Sequence, residues 1–312
     1  MNAISGDLRP PRRHFWRRYG PAYLFAGPYL TGVVVLVVGP LAFSLLLSFL
    51  KWDGIGGVDR MGWVGLGNYR QALSGHDEFF NHALVNSLTY ALWAVPLGLC
   101  ASLGLALLLD RNLPGVGIFR TIFYLPHVVA GVATIMMWQW VFNPDLGLLN
   151  AALRGLGVDT RARPMCQWLY SPEGAMPALV LMSLWGAGGA MLIFLAALQN
   201  VPDHLYEAAR VDGAGRWRQF WHITLPQISP AVFFNLVMGI IGSLQVFTQA
   251  YLMYSPQQDN AILMMVQQIY YEAFQFGHFG YASAMAWILF IIILALTGLV
   301  IWTSRRWVYY EA

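Results

Sequence analysis

At 312 residues the chain has the length of one large domain or two small ones, yet only 11% of it is Asp, Glu, Lys or Arg, where soluble domains carry about 25%. With 58% apolar residues and a mean hydropathy of +0.53, the composition argues against a water-soluble enzyme, and the formal net charge of +3 comes from arginines in small groups at helix ends, an orientation signal and not a nucleic-acid footprint. The charges cluster and leave six uncharged stretches, at 19–50, 79–109, 121–144, 174–202, 219–258 and 273–304, each longer than the ~20 residues a helix needs to cross hydrocarbon. The next-longest uncharged run, 260–271, has only 12 residues, so the expected fold is all-α transmembrane, a polytopic bundle of six helices.

In chain order, a basic segment at 1–20 precedes a first crossing near 22–50, and a membrane domain extends over 21–306 to a short tail at 307–312. The basic start resembles the n-region of a signal peptide. The apolar core from Pro21 to Leu50 is much longer than the ~7–15 residues of a signal h-region, so the segment is expected to remain as an anchor. Further crossings are expected near 83–109, 118–142, 177–199, 229–254 and 283–304, joined by loops at 51–82, 143–176 and 255–282 on one side and by 110–117 and 200–228 on the other. A β-barrel fails because Val33–Val38 and Ile291–Leu296 are apolar at every position instead of alternating. Pro40, Pro96 and Pro126 fall inside crossings and are candidate kinks.

Positive residues near helix ends set orientation. Twelve arginines fall on the side of the N-terminus, and Lys51 with five arginines on the other, which predicts that both termini and the 200–228 loop are cytoplasmic. Cys100 and Cys166 fall in a crossing and an outer loop, so no disulfide is expected between them. Catalytic signatures are missing: no His-Glu-x-x-His, no Gly-x-Ser-x-Gly and no paired-cysteine zinc spacing. The single lysine, Lys51, follows Phe49-Leu50 and not a glycine loop, so no Walker A phosphate cradle is present and no ATP hydrolysis is expected from this chain. His82, His127, His222 and His278 map near interfaces and read as ordinary hydrogen-bonding residues.

The loop at 200–228 is the informative one. Pro202 suits a helix start, Leu205, Ala208, Ala209 and Asp212 follow at helical spacing, and Gly213 and Gly215 interrupt. A second helical segment from Arg216 to Thr224 carries Trp217, Phe220, Trp221 and Ile223, and Leu225-Pro226 is expected to stop it. A helix-turn-helix for DNA has the same outline, but anchoring by crossings on both sides argues against nucleic acid.

Glu207-Ala208-Ala209, Gly213, Ile223 and Leu225-Pro226 together resemble the EAA loop of permease subunits in ABC importers, E-A-A-x-x-x-G, nine residues, I-x-L-P, at all seven positions. Asp212, Ala214 and Phe220 resemble the carbohydrate-uptake branch, the maltose-type and glycerol-phosphate-type permeases. So do Gly27-Pro28-Tyr29, Asn68-Tyr69, Phe119-Arg120 with Leu125-Pro126, and Asn143-Pro144-Asp145. The resemblance implies the type I ABC importer permease fold in the inner membrane of a bacterium, and a carbohydrate or polyol as solute. The implied partners are a second homologous permease subunit, two cytoplasmic ATPase subunits that hold ATP and Mg, and an external solute-binding protein. This chain itself is expected to bind no cofactor and no metal. It also implies that the loop is a coupling helix: Glu207 pairs with an ATPase arginine, Ala208 and Ala209 keep the face small, and Gly213 makes the turn. An importer of another solute, such as glycerol phosphate or an amino acid, and an ion-coupled carrier acting alone are the alternatives.

A sugar path needs space, aromatic faces and a few uncharged polar groups. Ser183, Trp185, Gly186 and Gly189 in the fourth crossing and Gly239, Gly242, Ser243 and Gln245 in the fifth are candidates. Small residues equally serve close helix packing, and sequence leaves both readings open.

Overall fold

A computed structural model describes residues 13–54, 57, 61–110, 114–129, 131–161 and 163–309, with side chains from Tyr19 onward. The basic segment 1–12, Arg60, Arg111 and the last three residues of the tail lie outside the described residues. The first crossing comprises α1 (Arg13–Val33), a π turn (Val34–Val38) and α2 (Gly39–Leu47), so the helix begins about two turns earlier than expected. In the π turn Gly39 N–H bonds the carbonyl of Val34, five residues back. Pro40 follows, which has no N–H to donate and crowds the carbonyl four residues before it; the slip in register absorbs that conflict without breaking the helix. This crossing is nearly bare, with only 6% of its apolar window buried.

A small hairpin, β1 (Leu50–Lys51) against β2 (Gly62–Trp63), leads to α3 (Gly67–Leu73). The second crossing is α4 (Glu78–Leu109), which is capped by the Asp77 carboxylate accepting from Phe80 N–H at 2.9 Å and runs unbroken through Pro96. The third crossing is split: α5 (Val116–Val128) ends two residues after Pro126, Val129 is extended, and α6 (Gly131–Val141) resumes beyond residue 130, which lies outside the described residues. α7 (Leu148–Gly155) and a 3-10 turn (Pro164–Tyr170) occupy the expected loop at 143–176. The fourth crossing is also broken, as α8 (Pro172–Trp185) and α9 (Gly188–Gln199) meet at 47°.

The 200–228 loop follows as α10 (Asp203–Val211), α11 (Arg216–Gln219), a π turn (Phe220–Thr224) and α12 (Leu225–Gln227). Leu225-Pro226 does not stop the second helix as expected: a π turn again precedes the proline, with Leu225 N–H bonding the carbonyl of Phe220, and the helix runs on to Gln227. The chain then bends by 67° into α13 (Ser229–Leu244). The fifth crossing is interrupted at Gln245–Phe247 before α14 (Thr248–Met253).

The expected outer loop at 255–282 is a correction, since much of it is folded into the bundle. α15 (Met265–Tyr270) and a π turn (Tyr271–Gln275) lie there, and Gln258, Ile262, Leu263, Met264 and Met265 are all at most 2% exposed. Side chains tie it in: Asn86 donates to its carbonyls at Asn260 (2.7 Å) and Leu263 (3.1 Å), and its own Gln258 donates to the carbonyls of Leu169 (2.7 Å) and Met253 (2.8 Å) outside the segment. The uncharged run 260–271 is thus too short to span and apolar enough to be buried. The last crossing is α16 (Phe279–Ser304).

Three apolar clusters hold these elements. The one nearest the 200–228 loop joins Ala106 and Leu109 of α4 to Met191, Phe194, Leu195 and Leu198 of α9 and to Ile228, with Leu205, Tyr206 and Ile223 packed against it. Both cysteines are free, Cys100 exposed and Cys166 buried.

Candidate functional site

The 200–228 segment is a rigid elbow. Pro202 sits at the N-cap instead of the first helical turn, and α10 ends at Asp212. Gly213 has φ +76°, with its N–H on the carbonyl of Arg210 (3.1 Å), while Ala214 N–H reaches the carbonyl of Ala209 (2.8 Å). This pair of bonds around a left-handed glycine closes a Schellman motif and aims the chain back toward the bundle. The two arms are tied by Gln219, which donates to the carbonyl of Ala214 (2.7 Å), and by the hydroxyl pair Tyr206–Thr224 (3.0 Å).

The structure divides the expected coupling residues into two sets. Ile223 packs into the core cluster, and Leu225 and Pro226 are half-buried where the elbow joins α13; these three seat the elbow. Glu207, Ala208, Asp212 and Gly213 are exposed on its outer face, with Ala209 and Ala214 half-buried behind them. Val211, 88% exposed, and Trp217, 73% exposed, extend that face. Beside the elbow's root Arg120 donates to the carbonyl of Leu109 (3.0 Å). Asp110 is held above the usual carboxylate range by partial burial, an effect that Arg120 opposes and Asp203 reinforces.

A second feature is a cleft of about 410 Å³ between α4, α8, α9 and α13. Ser183, Gly186, Gly239, Gly242 and Ser243 line it, and so do Tyr90, Ser102, His127 and Asn235. No Asp, Glu, Lys or Arg is among the lining residues. The breaks in the fourth and fifth crossings open beside it, at Gly186, Ala187 and Val246. At the break in the fourth crossing Ser102 donates to the carbonyl of Ala187 (3.0 Å). Interrupted helices at membrane depth are tolerated where they line a cavity and their freed groups find partners.

Trp185, Gly189 and Gln245 are not among the lining residues. Trp185 meets Trp138 edge-on at 5.8 Å, and Gln245 caps α13 at its break. Gly189 is a packing glycine, because a Cβ there would stand 2.8 Å from the His127 ring, and at neighbouring Gly188 a Cβ would stand 2.1 Å from the Phe123 carbonyl oxygen. His127 is therefore held over the backbone of α9 in the cleft wall.

Residues 94–309, which carry the elbow and most of the cleft, match the family model described as binding-protein-dependent transport system inner membrane component. The chain belongs to this family of membrane transport components. It is 38% identical over 315 residues to the probable ABC transporter permease protein YesP of Bacillus subtilis (strain 168), covering 100% of this chain and 99% of that one. It is 33% identical over 270 residues to the xylose/arabinose import permease protein XacH of Haloferax volcanii, covering 85% and 81%. Among solved structures, a bacterial ABC transporter involved in the import of the acidic polysaccharide alginate has a chain with a TM-score of 0.80 and 25% identity, covering 94% of this chain and 98% of that one. The fold is thus that of an ABC importer permease, and the family is one of transport and not of catalysis. The cleft escaped sequence reasoning at Tyr90, His127 and Asn235, because only the packing of α4 against α13 and of α5 against α9 brings them together.

Proposed function

We infer that this chain is the membrane subunit of an ATP-driven importer of a neutral carbohydrate or polyol, and that its elbow receives the stroke of a separate ATPase. The observation that carries the reading is the elbow: a Schellman-locked hairpin clamped on the bundle by Ile223 and the Tyr206–Thr224 pair, with Glu207, Ala208, Val211 and Asp212 exposed. A rigid lever is what transmits force; a flexible linker would dissipate it. Glu207 pairs with a basic group of the ATPase, and the small side chain of Ala208 lets the face enter a cleft. ATP and Mg reside on two such ATPase subunits. The arginine distribution supports a cytoplasmic elbow and cytoplasmic termini, and the bare first crossing is available to a second, homologous permease subunit.

Closure of the ATPases around ATP turns the permease pair outward so that the external binding protein releases its solute into the cleft, and hydrolysis resets it inward. The uncharged, hydroxyl- and amide-bearing cleft suits a neutral polyhydroxylated solute, because a carboxylate or phosphate there would be desolvated without a fixed counter-charge. The relative named for xylose/arabinose import supports a neutral saccharide, while the structure of the alginate importer, whose polysaccharide is acidic, supports only the broader saccharide class.

Substituting Glu207→Lys in the assembled transporter is the test. Recovery of the ATPase subunits with the tagged permease should fall at least about tenfold, the loss of one buried charge-assisted pair, while membrane insertion is unchanged. Undiminished ATPase recovery and uptake would refute the coupling role.

A further inference from the structure

We propose that a row of aromatic rings, running from the break in the fifth crossing to the end of the bundle opposite the elbow, is a track on which the pyranose or furanose rings of an incoming saccharide stack. The proposal rests on the carbohydrate reading above and extends it from the cleft to the route of entry. Phe247 begins the row at the break, next to Val246 of the cleft wall. Its ring centroid lies 5.3 Å from that of Tyr251 and 5.3 Å from that of Tyr270. Tyr270 continues to Phe274 at 5.3 Å, Phe274 to Phe279 at 5.8 Å, and Phe279 to Trp52 at 5.5 Å. Trp52 lines a second cavity of about 430 Å³ at that end of the bundle, so the row runs from beside the cleft to the wall of another cavity.

Core packing does not account for this row. The large core aromatics Phe80, Phe142 and Phe194 are at most 1% exposed, whereas none of the six rings of the row is buried and Phe274 is 70% exposed. The rings come from the segment after β1, the fifth crossing, the folded-in segment and the start of α16, so no single helix period generates them. A belt of interfacial anchors surrounds a bundle at one depth. This row instead runs along the bundle, from a mid-crossing break to a crossing's outer end. Its chemistry suits one class of ligand: flat apolar faces for the C–H face of a sugar ring, and the hydroxyls of Tyr251 and Tyr270 for sugar hydroxyls. Neither hydroxyl has a hydrogen-bond partner among the described residues.

The probe is fixed first: a strain deleted for this gene is screened for the carbohydrate whose uptake it loses, and the radiolabelled form of that sugar is used. In cells carrying the whole transporter, Tyr270→Leu and Phe274→Leu should each lower the maximal uptake rate about two- to tenfold, the worth of one ring stack, while Tyr270→Phe and Phe274→Tyr retain it. Complex recovery by affinity tag checks assembly. In a Cys100→Ser background, which removes the exposed native thiol, Tyr270→Cys should react with a membrane-impermeant thiol reagent, and the sugar should slow the reaction. Wild-type uptake by both leucine variants, or labelling at position 270 only by lipid-soluble reagents, would overturn the track while leaving the carbohydrate reading intact. A deletion strain that loses no carbohydrate uptake would overturn the carbohydrate reading, and the track with it.

Discussion

Replacement of Gly213 gives the sharpest measure of how the elbow is held. Its φ of +76° lies in the left-handed region, where an L side chain costs about 1–2 kcal/mol. A Cβ built there meets nothing within 4 Å, so no steric clash adds to that figure and the cost is confined to the backbone. Gly213→Ala should therefore raise the population of the opened elbow about 5- to 30-fold, from the same 1–2 kcal/mol. Asn, which tolerates left-handed geometry, should cost less than Ala, and β-branched Val should cost more. Trypsin reads the opening directly, because Arg210, Arg216 and Arg218 flank the turn and are exposed, and cleavage tracks the open population when reclosing is fast. Cleavage rates in the purified permease should rise in the order Gly, Asn, Ala, Val. Equal rates across the series would mean that the Schellman turn is not what closes the elbow.

Other substitutions separate glycines and hydroxyls that look alike in sequence. Gly188→Ala forces a Cβ onto the Phe123 carbonyl and should destabilise the α5–α9 contact by about 1–3 kcal/mol or more, read as a fall in melting temperature in detergent. Gly242→Ala, with open space at its Cβ, should melt like the parent and act only by narrowing the cleft, lowering uptake of larger solutes first. Tyr206→Phe removes the 3.0 Å pair to buried Thr224 and should cost about 0.5–1.5 kcal/mol; a larger loss of ATPase recovery than of stability would place the strut in the coupling path. Ser102→Ala removes one of the two bonds accepted by the carbonyl of Ala187, which Met191 N–H still meets, and should cost about 0.5–1.5 kcal/mol, which Ser102→Thr restores in a melting experiment.

The crossings and the elbow were legible because they rest on local chemistry. Charge depletion over at least 24 residues marks a span, and a glycine pair between two helix-forming segments marks a turn. The break after Pro126 was legible as a candidate kink, but those in the fourth and fifth crossings were not. Gly186-Ala187 and Gln245–Phe247 carry no charge and look like the hydrocarbon-spanning residues around them, and only the cleft they face explains them. Leu225-Pro226 misled for another reason: proline forbids one hydrogen-bond register, and a π turn supplies the adjacent one. The folded-in segment at 255–275 was hidden because its burial depends on Asn86 and Gln258, whose carbonyl partners are fixed only by the tertiary arrangement. Of the eight residues suggested for a solute path, five reach the cleft; Gly189 went astray because its nearest neighbour, His127, lies over sixty residues earlier in the chain.

The first crossing is fastened to the rest of the bundle near one end, where Leu47 and Ser48 are buried beside α16, and the whole length from Tyr19 to Leu46 has no buried side chain. A rod pinned at one tip takes its direction from whatever lies alongside it. The separation between a spin label at Leu24 and one on the body of the protein therefore gauges assembly and not folding: broad for the isolated subunit in detergent, narrow once a companion lies against the rod.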